Sequence, residues 1–391
     1  MVNIMKRTKN ITLAIKNCNI VLEKRTIYDG VLLISNNKIA DFGKAGQIEI
    51  PQDTPTFDAN GAFVGPGFVD IHVHAGAGHD ICFEVEQCAE FFLKHGTTSI
   101  LATPAYQQNF DTMMSAIKNI KAKMGKVPTL KGLYMEGPYI NPNYGANAIN
   151  NPWRHGIVEK EYKALVDEAG DFAKVWTIAP ELKNIREFLS YARKVNPTVA
   201  FAIGHSEANY QHCKSIEDFN PTIQTHCTNA TGKIANNVAG VVDYGPDEYC
   251  LSHDNISCEL ISDCDGAHVR PEMQYFIVKV KGVNKVVLIT DNGDLSGEET
   301  YKDEKVLDIN YNEYGEIAGS KLTMDRALKN VITHTGVSIN DAFVMASKNP
   351  AKAIGLDKEI GTIKKGKVAD LVILDNDFNV KNVVLQGKIV E

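Results

Sequence analysis

The 391-residue chain lacks several features that would assign it to common protein classes. It has no run of about 20 apolar residues, so no segment is predicted to span a membrane. No apolar stretch of signal-peptide length follows the basic N-terminus, which predicts a cytoplasmic protein. Positive charge is not in excess: the net charge is −7, which argues against a nucleic-acid partner.

Paired cysteines are also missing. The chain has eight cysteines, and none stands in a Cys-x-x-Cys pair. In a long chain predicted to be cytoplasmic, such cysteines are expected to be buried thiols and not disulfides.

What the chain does contain is typical of a folded globular protein. Hydrophobic residues make up 44% and charged residues 23%, which excludes disordered, collagen-like and coiled-coil chains. The length suits two to three domains, or one barrel of about 250 residues with a smaller companion.

Both ends of the chain have the pattern of short β-strands separated by turn residues. We expect the two ends to pair into one small β-sandwich domain, because they flank a long middle of different character. The predicted strands are Thr12–Lys16, Cys18–Leu22, Gly30–Ser35, Lys38–Gly43, Ala369–Leu374 and Val380–Ile389.

The middle of the chain alternates between apolar runs and segments with helical periodicity. Eight runs are predicted as strands: Phe68–His74, Thr98–Thr103, Leu130–Glu136, Val175–Ala179, Val199–Gly204, Thr222–His226, Ser257–Ile261 and Val286–Thr290. The predicted helices are Glu84–His95, Phe110–Met124, Leu182–Val195, Pro271–Val280 and Met324–Thr335. Eight strand–helix units predict an α/β protein with a (β/α)8 TIM barrel, and a doubly wound open sheet is the alternative.

This pattern divides the chain into three segments. Residues 1–62 and 357–391 are predicted to form the two parts of the β-sandwich, and residues 63–356 the barrel. Chemistry in such a barrel collects at the carboxyl ends of the strands, so polar residues at those ends are candidates for an active site.

Ligand-type side chains stand at the ends of five predicted strands. A lone histidine or carboxylate there is usually structural, but a group of this size is costly to bury without a compensating cation. Two histidines separated by one residue on a strand also share a face. We therefore predict a site for a divalent metal, with Zn, Fe, Mn or Co left open. Its candidate residues are His72, His74, Glu136, His205, His226 and Asp291.

Three further features point to the same end of the barrel. His268 follows the seventh apolar run and is a candidate site residue. The Asn- and Pro-rich connection from Gly137 to Gly156 has no clear helix or strand, which is typical of a functional loop. The segment from Asn292 to Ser320 is predicted to form a hairpin beside the site.

These motifs resemble the amidohydrolase superfamily, and within it the N-acetylglucosamine-6-phosphate deacetylase family. The resemblance covers nearly the whole chain and its motifs occur in the family's order. They are Pro66–His74, Met135–Ile140, Gly204–Ser206, Thr225-His226 with Asn229-Ala230, Leu288–Asp291, Ala318–Ser320, Leu322–Met324, Ala346-Ser347, Asn349–Ala351, Gly361–Ile363 and Ala369–Val372.

The resemblance implies a metal-dependent hydrolase that removes the N-acetyl group from an amino sugar, N-acetylglucosamine 6-phosphate above all. It places metal ligation on Glu136, His205 and His226, and on His72 and His74 in members with two ions. It places acid–base catalysis on Asp291, and it implies a homodimer. Substrate binding is implied for Asn147, Asn229, Ala230, His268 and Lys233.

The stretch from Thr231 to Gly245 departs from the family, which draws a phosphate-binding arginine from this region. The stretch has no arginine, and Lys233 is its only cation. A lysine can hold a phosphate but lacks the bidentate fork of arginine. The alternatives are therefore an amidohydrolase acting on a non-phosphorylated N-acetyl sugar or another amide, and a barrel that binds sugar without catalysis.

Overall fold

The computed structural model of the protein describes residues 10–233, 244–297 and 308–390. In chain order its strands are β1 (Leu13–Val21), β2 (Thr26–Ser35), β3 (Lys38–Lys44), β4 (Thr56–Asp58), β5 (Phe63–Pro66), β6 (Phe68–Val73), β7 (Ala75–Gly76), β8 (His79–Asp80), β9 (Thr97–Ala102), β10 (Leu130–Met135), β11 (Ala173–Ile178), β12 (Ala200–Ile203), β13 (Ile223–Gln224), β14 (Ser257–Ile261), β15 (Val286–Ile289), β16 (Ile309–Tyr311), β17 (Ile317–Ser320), β18 (Leu371–Leu374), β19 (Val380–Leu385) and β20 (Lys388–Val390).

Ten α-helices complete the described secondary structure, with short 3-10 and π turns beside them. They are α1 (Val85–Lys94), α2 (Phe110–Lys123), α3 (Glu159–Ala169), α4 (Ile185–Val195), α5 (Tyr210–Lys214), α6 (Pro246–Ser252), α7 (Pro271–Lys281), α8 (Met324–Thr335), α9 (Ile339–Phe343) and α10 (Asn349–Ala353).

The middle of the chain forms the predicted barrel. Eight parallel strands follow one another in the order β6, β9, β10, β11, β12, β13, β14 and β15. The first and last strands meet through Asp70, whose Oδ2 accepts a hydrogen bond of 2.6 Å from the Thr290 hydroxyl, and through a bridge between Val73 and Asn292. All eight apolar runs of the sequence therefore supply barrel strands, and all five predicted helices are present.

Both ends of the chain meet in one small β domain, as the sequence predicts, and the strands of this domain form one mixed sheet. Its strand order is β20-β19-β18-β5-β1-β2-β3, with β4 paired to β1. β5 joins the two ends, because it pairs with β1 on one side and with β18 on the other. This sheet leads directly into β6, so it anchors the first strand of the barrel.

Two details of the end sheet differ from the sequence prediction. The segment predicted as two strands before residue 23 is the single strand β1, interrupted by an irregularity where Asn17 takes a φ of 51°. The segment predicted as one strand after residue 379 is a hairpin, because Gln386 and Gly387 both adopt positive φ. In both cases the backbone conformation of one or two residues decides the outcome, and the hydrophobic pattern does not show that conformation.

The helices around the barrel are amphipathic and bury one face against the strands. In α8 the buried side chains include Ala327, Leu328 and Val331, which lie on one face of a helix with 3.6 residues per turn. Full burial of such a Leu or Val side chain contributes about 1.5–3 kcal/mol to stability. Burial of these faces fixes the strand ends in place, and with them the polar side chains at the barrel mouth.

The cysteines are unpaired, which confirms the prediction of free thiols. Seven are buried, and Cys264 is partly exposed. Among the described helices, none is long and apolar enough to cross a membrane.

Candidate active site

The structure brings all six predicted metal and catalytic residues together at one mouth of the barrel. His72 lies in β6, His74 directly follows it, and Glu136 directly follows β10. His205, His226 and Asp291 each stand two residues beyond the last residue of β12, β13 and β15, respectively. Because all eight strands are parallel, these positions are at the carboxyl end of the barrel.

Glu136 lies at the centre of this arrangement. Its Oε1 is 2.8 Å from Nε2 of His205 and 3.0 Å from Nε2 of His226. Its Oε2 is 3.2 Å from Nε2 of His74. Two groups of candidate ligand atoms therefore share Glu136: one with His205 and His226, the other with His72 and His74. Within each group these atoms lie within 4.8 Å of one another.

Asp291 borders the second group. Its Oδ1 is 3.2 Å from Nε2 of His74 and 3.6 Å from Nε2 of His72. Its backbone N–H donates to the carbonyl oxygen of His72 at 3.0 Å. The position of the carboxylate is therefore fixed by the same strand that carries the two histidines.

Three of the site residues have backbone angles in the left-handed region. The φ angles are 45° at His205, 25° at His226 and 49° at Asp291. Such angles are unfavourable for residues other than glycine, and they cluster at functional sites where the surrounding structure enforces them. Each turns the chain immediately after a strand and directs the side chain into the mouth.

The hydrogen bonds of the four imidazoles assign their tautomers. Nδ1 of His74, His205 and His226 faces the carbonyl oxygens of Thr103, Tyr144 and Asn229 at 2.9, 3.3 and 3.1 Å, respectively. Nδ1 of His72 faces a carboxylate oxygen of Glu259 at 3.3 Å. Since these oxygens only accept, each Nδ1 carries a hydrogen. Each Nε2 faces the centre, where it can hold either a second proton or a metal ion.

This donor set fits a divalent cation. Nε2 of His205 and Nε2 of His226 are 3.0 Å apart, and Nε2 of His72 is buried without a hydrogen-bond partner. Lone pairs that face each other and two carboxylates repel unless a cation lies among them. Imidazole nitrogen and carboxylate oxygen are ligands that suit Zn, Fe, Mn and Co.

The pKa values of these groups reflect the same demand for positive charge. Burial alone would lower the pKa of both His72 and His74, but the nearby carboxylates of Asp291 and Glu136 outweigh it. The pKa of His72 is held well above its usual value, and that of His74 is raised to about 9. Burial would raise the pKa of Glu136, yet the charge of His205 holds it well below the usual range.

A cleft of about 660 Å³ opens above these side chains. Its floor includes His74, Glu136, His205, His226 and Asp291. Its walls come from the loop after β9, from the connection after β10 and from the β16–β17 hairpin. Within the described residues, this hairpin confirms the prediction that the segment from Asn292 to Ser320 forms a hairpin beside the site.

Comparison with known proteins identifies the family of this chain. A model described as the amidohydrolase family matches residues 63–390. The chain belongs to the amidohydrolase family.

Individual relatives cover almost the whole length of this amidohydrolase. It is 30% identical to N-acetylgalactosamine-6-phosphate deacetylase of Escherichia coli O157:H7, over 90% of this chain and 93% of the relative. It is 26% identical to N-acetylglucosamine-6-phosphate deacetylase of Bacillus subtilis (strain 168), over 97% of each chain. The crystal structure of N-acetylglucosamine-6-phosphate deacetylase from Thermotoga maritima matches with a TM-score of 0.79 at 27% identity, covering 97% of this chain and 99% of that one.

The five residues predicted to bind substrate do not all reach the cleft of the amidohydrolase. Asn229 and Ala230 line it. Asn147 lies in the connection after β10 but is not among the lining residues; its backbone N–H donates to a carboxylate oxygen of Glu316 at 2.8 Å. The neighbouring Ala146 lines the cleft instead.

The other two do not line the cleft. Lys233 forms an ion pair with Glu248 and does not line the cleft. His268 is buried and is not a lining residue; its Nδ1 is 2.8 Å from a carboxylate oxygen of Asp263. Its Nε2 is buried without a hydrogen-bond partner.

Two buried residues of the site were not identified from the sequence. Glu259 in β14 holds Nδ1 of His72, and the ring of Tyr134 in β10 stacks on the His72 ring at 4.4 Å. A charged residue inside a buried apolar strand is costly without a partner. The position of Glu259 in such a strand was therefore the signal by which the sequence could have identified it as a site residue. The ring of Tyr134 gives no such signal, because aromatic residues are common in strands.

Proposed function

We propose that the protein is a divalent-metal-dependent amidohydrolase that removes the N-acetyl group from an N-acetylhexosamine 6-phosphate, with N-acetylglucosamine 6-phosphate as the first substrate to test. The observation that carries the proposal is the convergence of four imidazole Nε2 atoms on Glu136, beside Asp291, at the floor of the cleft. The named relatives hydrolyse, by their names, the acetyl group of such sugars.

The metal would be held by Glu136, His205 and His226, and by His72 and His74 if two ions bind. A bound ion of this kind supplies Lewis acidity, which makes water more acidic and polarises a carbonyl. The cleft walls would hold the sugar, while the floor residues orient the acetamide.

Asp291 would move the proton in this reaction. Its carboxylate accepts a proton from the attacking water, whose oxygen bonds to the acetyl carbon, and then delivers the proton to the departing nitrogen as the carbon–nitrogen bond breaks. The products are acetate and the free amino sugar. Burial would raise the pKa of Asp291, but His72 and His74 hold it below its usual value, which keeps the carboxylate ionised and able to accept.

A specific observation favours a second candidate, an N-acetylhexosamine without phosphate. Among the described residues that line the cleft there is no lysine or arginine, while Asp80, Glu136, Asp291 and Glu316 are acidic. A phosphate dianion would need a cation from outside this lining. Phosphate recognition is therefore the point on which the two candidates differ.

The test is acetate release from four substrates: the 6-phosphates of N-acetylglucosamine and N-acetylgalactosamine, and the same two sugars without phosphate. The proposal expects hydrolysis of at least one phosphorylated sugar at a higher kcat/KM than its plain counterpart. The opposite order supports the second candidate. No acetate from any of the four, with metal bound, would overturn both.

The homodimer stays a prediction from the resemblance, and the cytoplasmic location stays a prediction from the sequence. Sedimentation equilibrium of the purified protein tests the first, since a dimer has twice the mass of the 43.0 kDa chain.

A further inference from the structure

His72 differs from the other three histidines of the site in what holds its outer nitrogen. His74, His205 and His226 each donate from Nδ1 to a neutral backbone carbonyl. Nδ1 of His72 instead meets the carboxylate of Glu259 at 3.3 Å, and both side chains are fully buried. Among these four imidazoles, His72 alone has a charged partner on its outer side.

Glu259 is a residue whose burial at this position costs stability. It lies in the middle of the buried strand β14, between Cys258 and Leu260. One of its oxygens, Oε2, meets His72 and also accepts from the backbone N–H of His226 at 3.2 Å. The other, Oε1, is buried without a hydrogen-bond partner. A buried carboxylate with a free oxygen costs stability, so a purely structural role is a poor account of it.

The remaining contacts of His72 leave its ring little freedom. Its face stacks on Tyr134 at 4.4 Å, and its backbone N–H donates to Asp70 at 3.2 Å. Since Glu259 accepts only, it selects the tautomer with hydrogen on Nδ1 and directs the lone pair of Nε2 to the centre. A carboxylate on the outer nitrogen also makes an imidazole a more basic ligand than a carbonyl does.

We propose that Glu259 is a positioning residue that sets the metal affinity of His72, and through it the affinity of the group formed by His72, His74 and Glu136. This inference rests on the proposed function only in that the site holds a divalent ion; it does not depend on the substrate. Outer-sphere partners of ligating histidines are worth about 10- to 100-fold in metal affinity.

The experiment measures Co²⁺ binding to the chelator-treated full chain, by calorimetry and by the visible spectrum of the bound ion. The variants are Glu259→Ala, Glu259→Gln, His72→Ala and the two double variants. We expect Glu259→Ala to weaken binding about 10- to 100-fold. Glu259→Gln should recover part of the loss, because an amide oxygen in the place of Oε2 still accepts from Nδ1.

The double variants separate positioning from a general loss of structure. If Glu259 acts through His72, its removal has no further effect on Co²⁺ affinity or on the spectrum once His72 is alanine. Circular dichroism checks that each variant folds. If Glu259→Ala does not fold, the double-mutant cycle of Glu259→Gln with His72→Ala takes its place. Asp325→Asn is the matched control, since Asp325 is a partly buried carboxylate 3.5 Å from His95, which belongs to neither ligand group.

The proposal is overturned if Glu259→Ala binds Co²⁺ within twofold of the wild-type affinity with an unchanged spectrum. It is also overturned if the losses from Glu259 and His72 add, or if His72→Ala leaves Co²⁺ binding unchanged. Because the readout needs no sugar, these outcomes are distinct from a failure of the deacetylation tests.

Discussion

Asp291 combines three properties that a proton-transferring residue needs. It lies at the floor of the cleft, its carboxylate is 3.2 Å from Nε2 of His74, and its backbone is fixed by hydrogen bonds to β6 and to the β16–β17 hairpin. Its pKa lies below the usual value because the charge of His72 and the hydrogen bond with His74 outweigh burial. The residue is thus positioned and ionised before substrate arrives.

Replacing this carboxylate tests its role at the scale of the residue. We expect Asp291→Asn to keep the metal but to lower kcat about 10²- to 10⁴-fold, since an amide cannot carry the proton. Metal content and acetate release are measured on the same preparation. Asp375→Asn, in the exposed turn before β19, is the control and should keep full activity. Near wild-type turnover in Asp291→Asn would contradict the assignment.

The cysteines offer a second test at this scale. Burial raises the pKa of Cys18, Cys88 and Cys213 to about 12, and that of the partly exposed Cys264 to about 11. The reactive form of a thiol is the thiolate, so at pH 8 the native protein should react slowly with a thiol reagent. Unfolding should release eight reactive thiols. A thiol that reacts within seconds in the native protein would show that the burial is wrong.

Elements of the barrel were predictable because each buried strand is a short apolar run bounded by turn residues. The ligand residues were predictable for a related reason: they interrupt that pattern at the strand ends. No charged residue lies between Leu133 and Glu136, and none lies between Val286 and Asp291. A polar residue at the end of a buried strand needs a partner. The sequence shows six such polar residues.

The parts that could not be predicted depend on contacts that loops make. Asn147 stands where the resemblance puts a substrate contact, but its backbone N–H is held by Glu316 of the β16–β17 hairpin. Asp263 holds Nδ1 of His268, which does not line the cleft. The contact between Asn147 and Glu316 cannot be inferred from spacing, because the two residues are far apart along the chain. Asp263 is near His268 in the sequence, but the sequence does not show that their side chains meet.

The joint between the end sheet and the barrel allows a test at the scale of elements. Gly65 of β5 lies against the ring of Phe343 at the end of α9, and an added Cβ would come within 2.2 Å of the ring. We expect Gly65→Ala to lower the free energy of unfolding by about 1–3 kcal/mol, the usual cost of overpacking. Denaturant unfolding followed by circular dichroism measures it.

A second substitution checks the cause. Phe343→Ala removes the ring, so adding Gly65→Ala to it should cost clearly less than in the wild-type background. If the two losses add in full, the clash is not the reason for the destabilisation.

For the whole molecule, the ligand groups link metal binding to stability. Five of the eight barrel strands contribute a ligand or Asp291, so an ion in the mouth ties together segments from residue 72 to residue 291. An ion that binds only the folded state at 100 times its dissociation constant stabilises it by about 2.7 kcal/mol. We expect chelation to lower the Tm of the wild type and added Zn²⁺ to restore it.

Glu136→Ala should remove most of this dependence, because both ligand groups share that carboxylate. A wild-type Tm that neither chelator nor Zn²⁺ changes would show that no ion bound at the barrel mouth stabilises the folded state.

The central claim is that six side chains from distant parts of the chain surround a divalent ion at the barrel mouth. The most direct measurement is anomalous X-ray scattering from crystals of the metal-loaded protein, collected at the absorption edge of the bound metal. The account predicts a peak about 2.0–2.2 Å from ligand atoms of Glu136, His205 and His226. A protein that carries stoichiometric metal but shows its anomalous peak elsewhere, or none at the mouth, would contradict it.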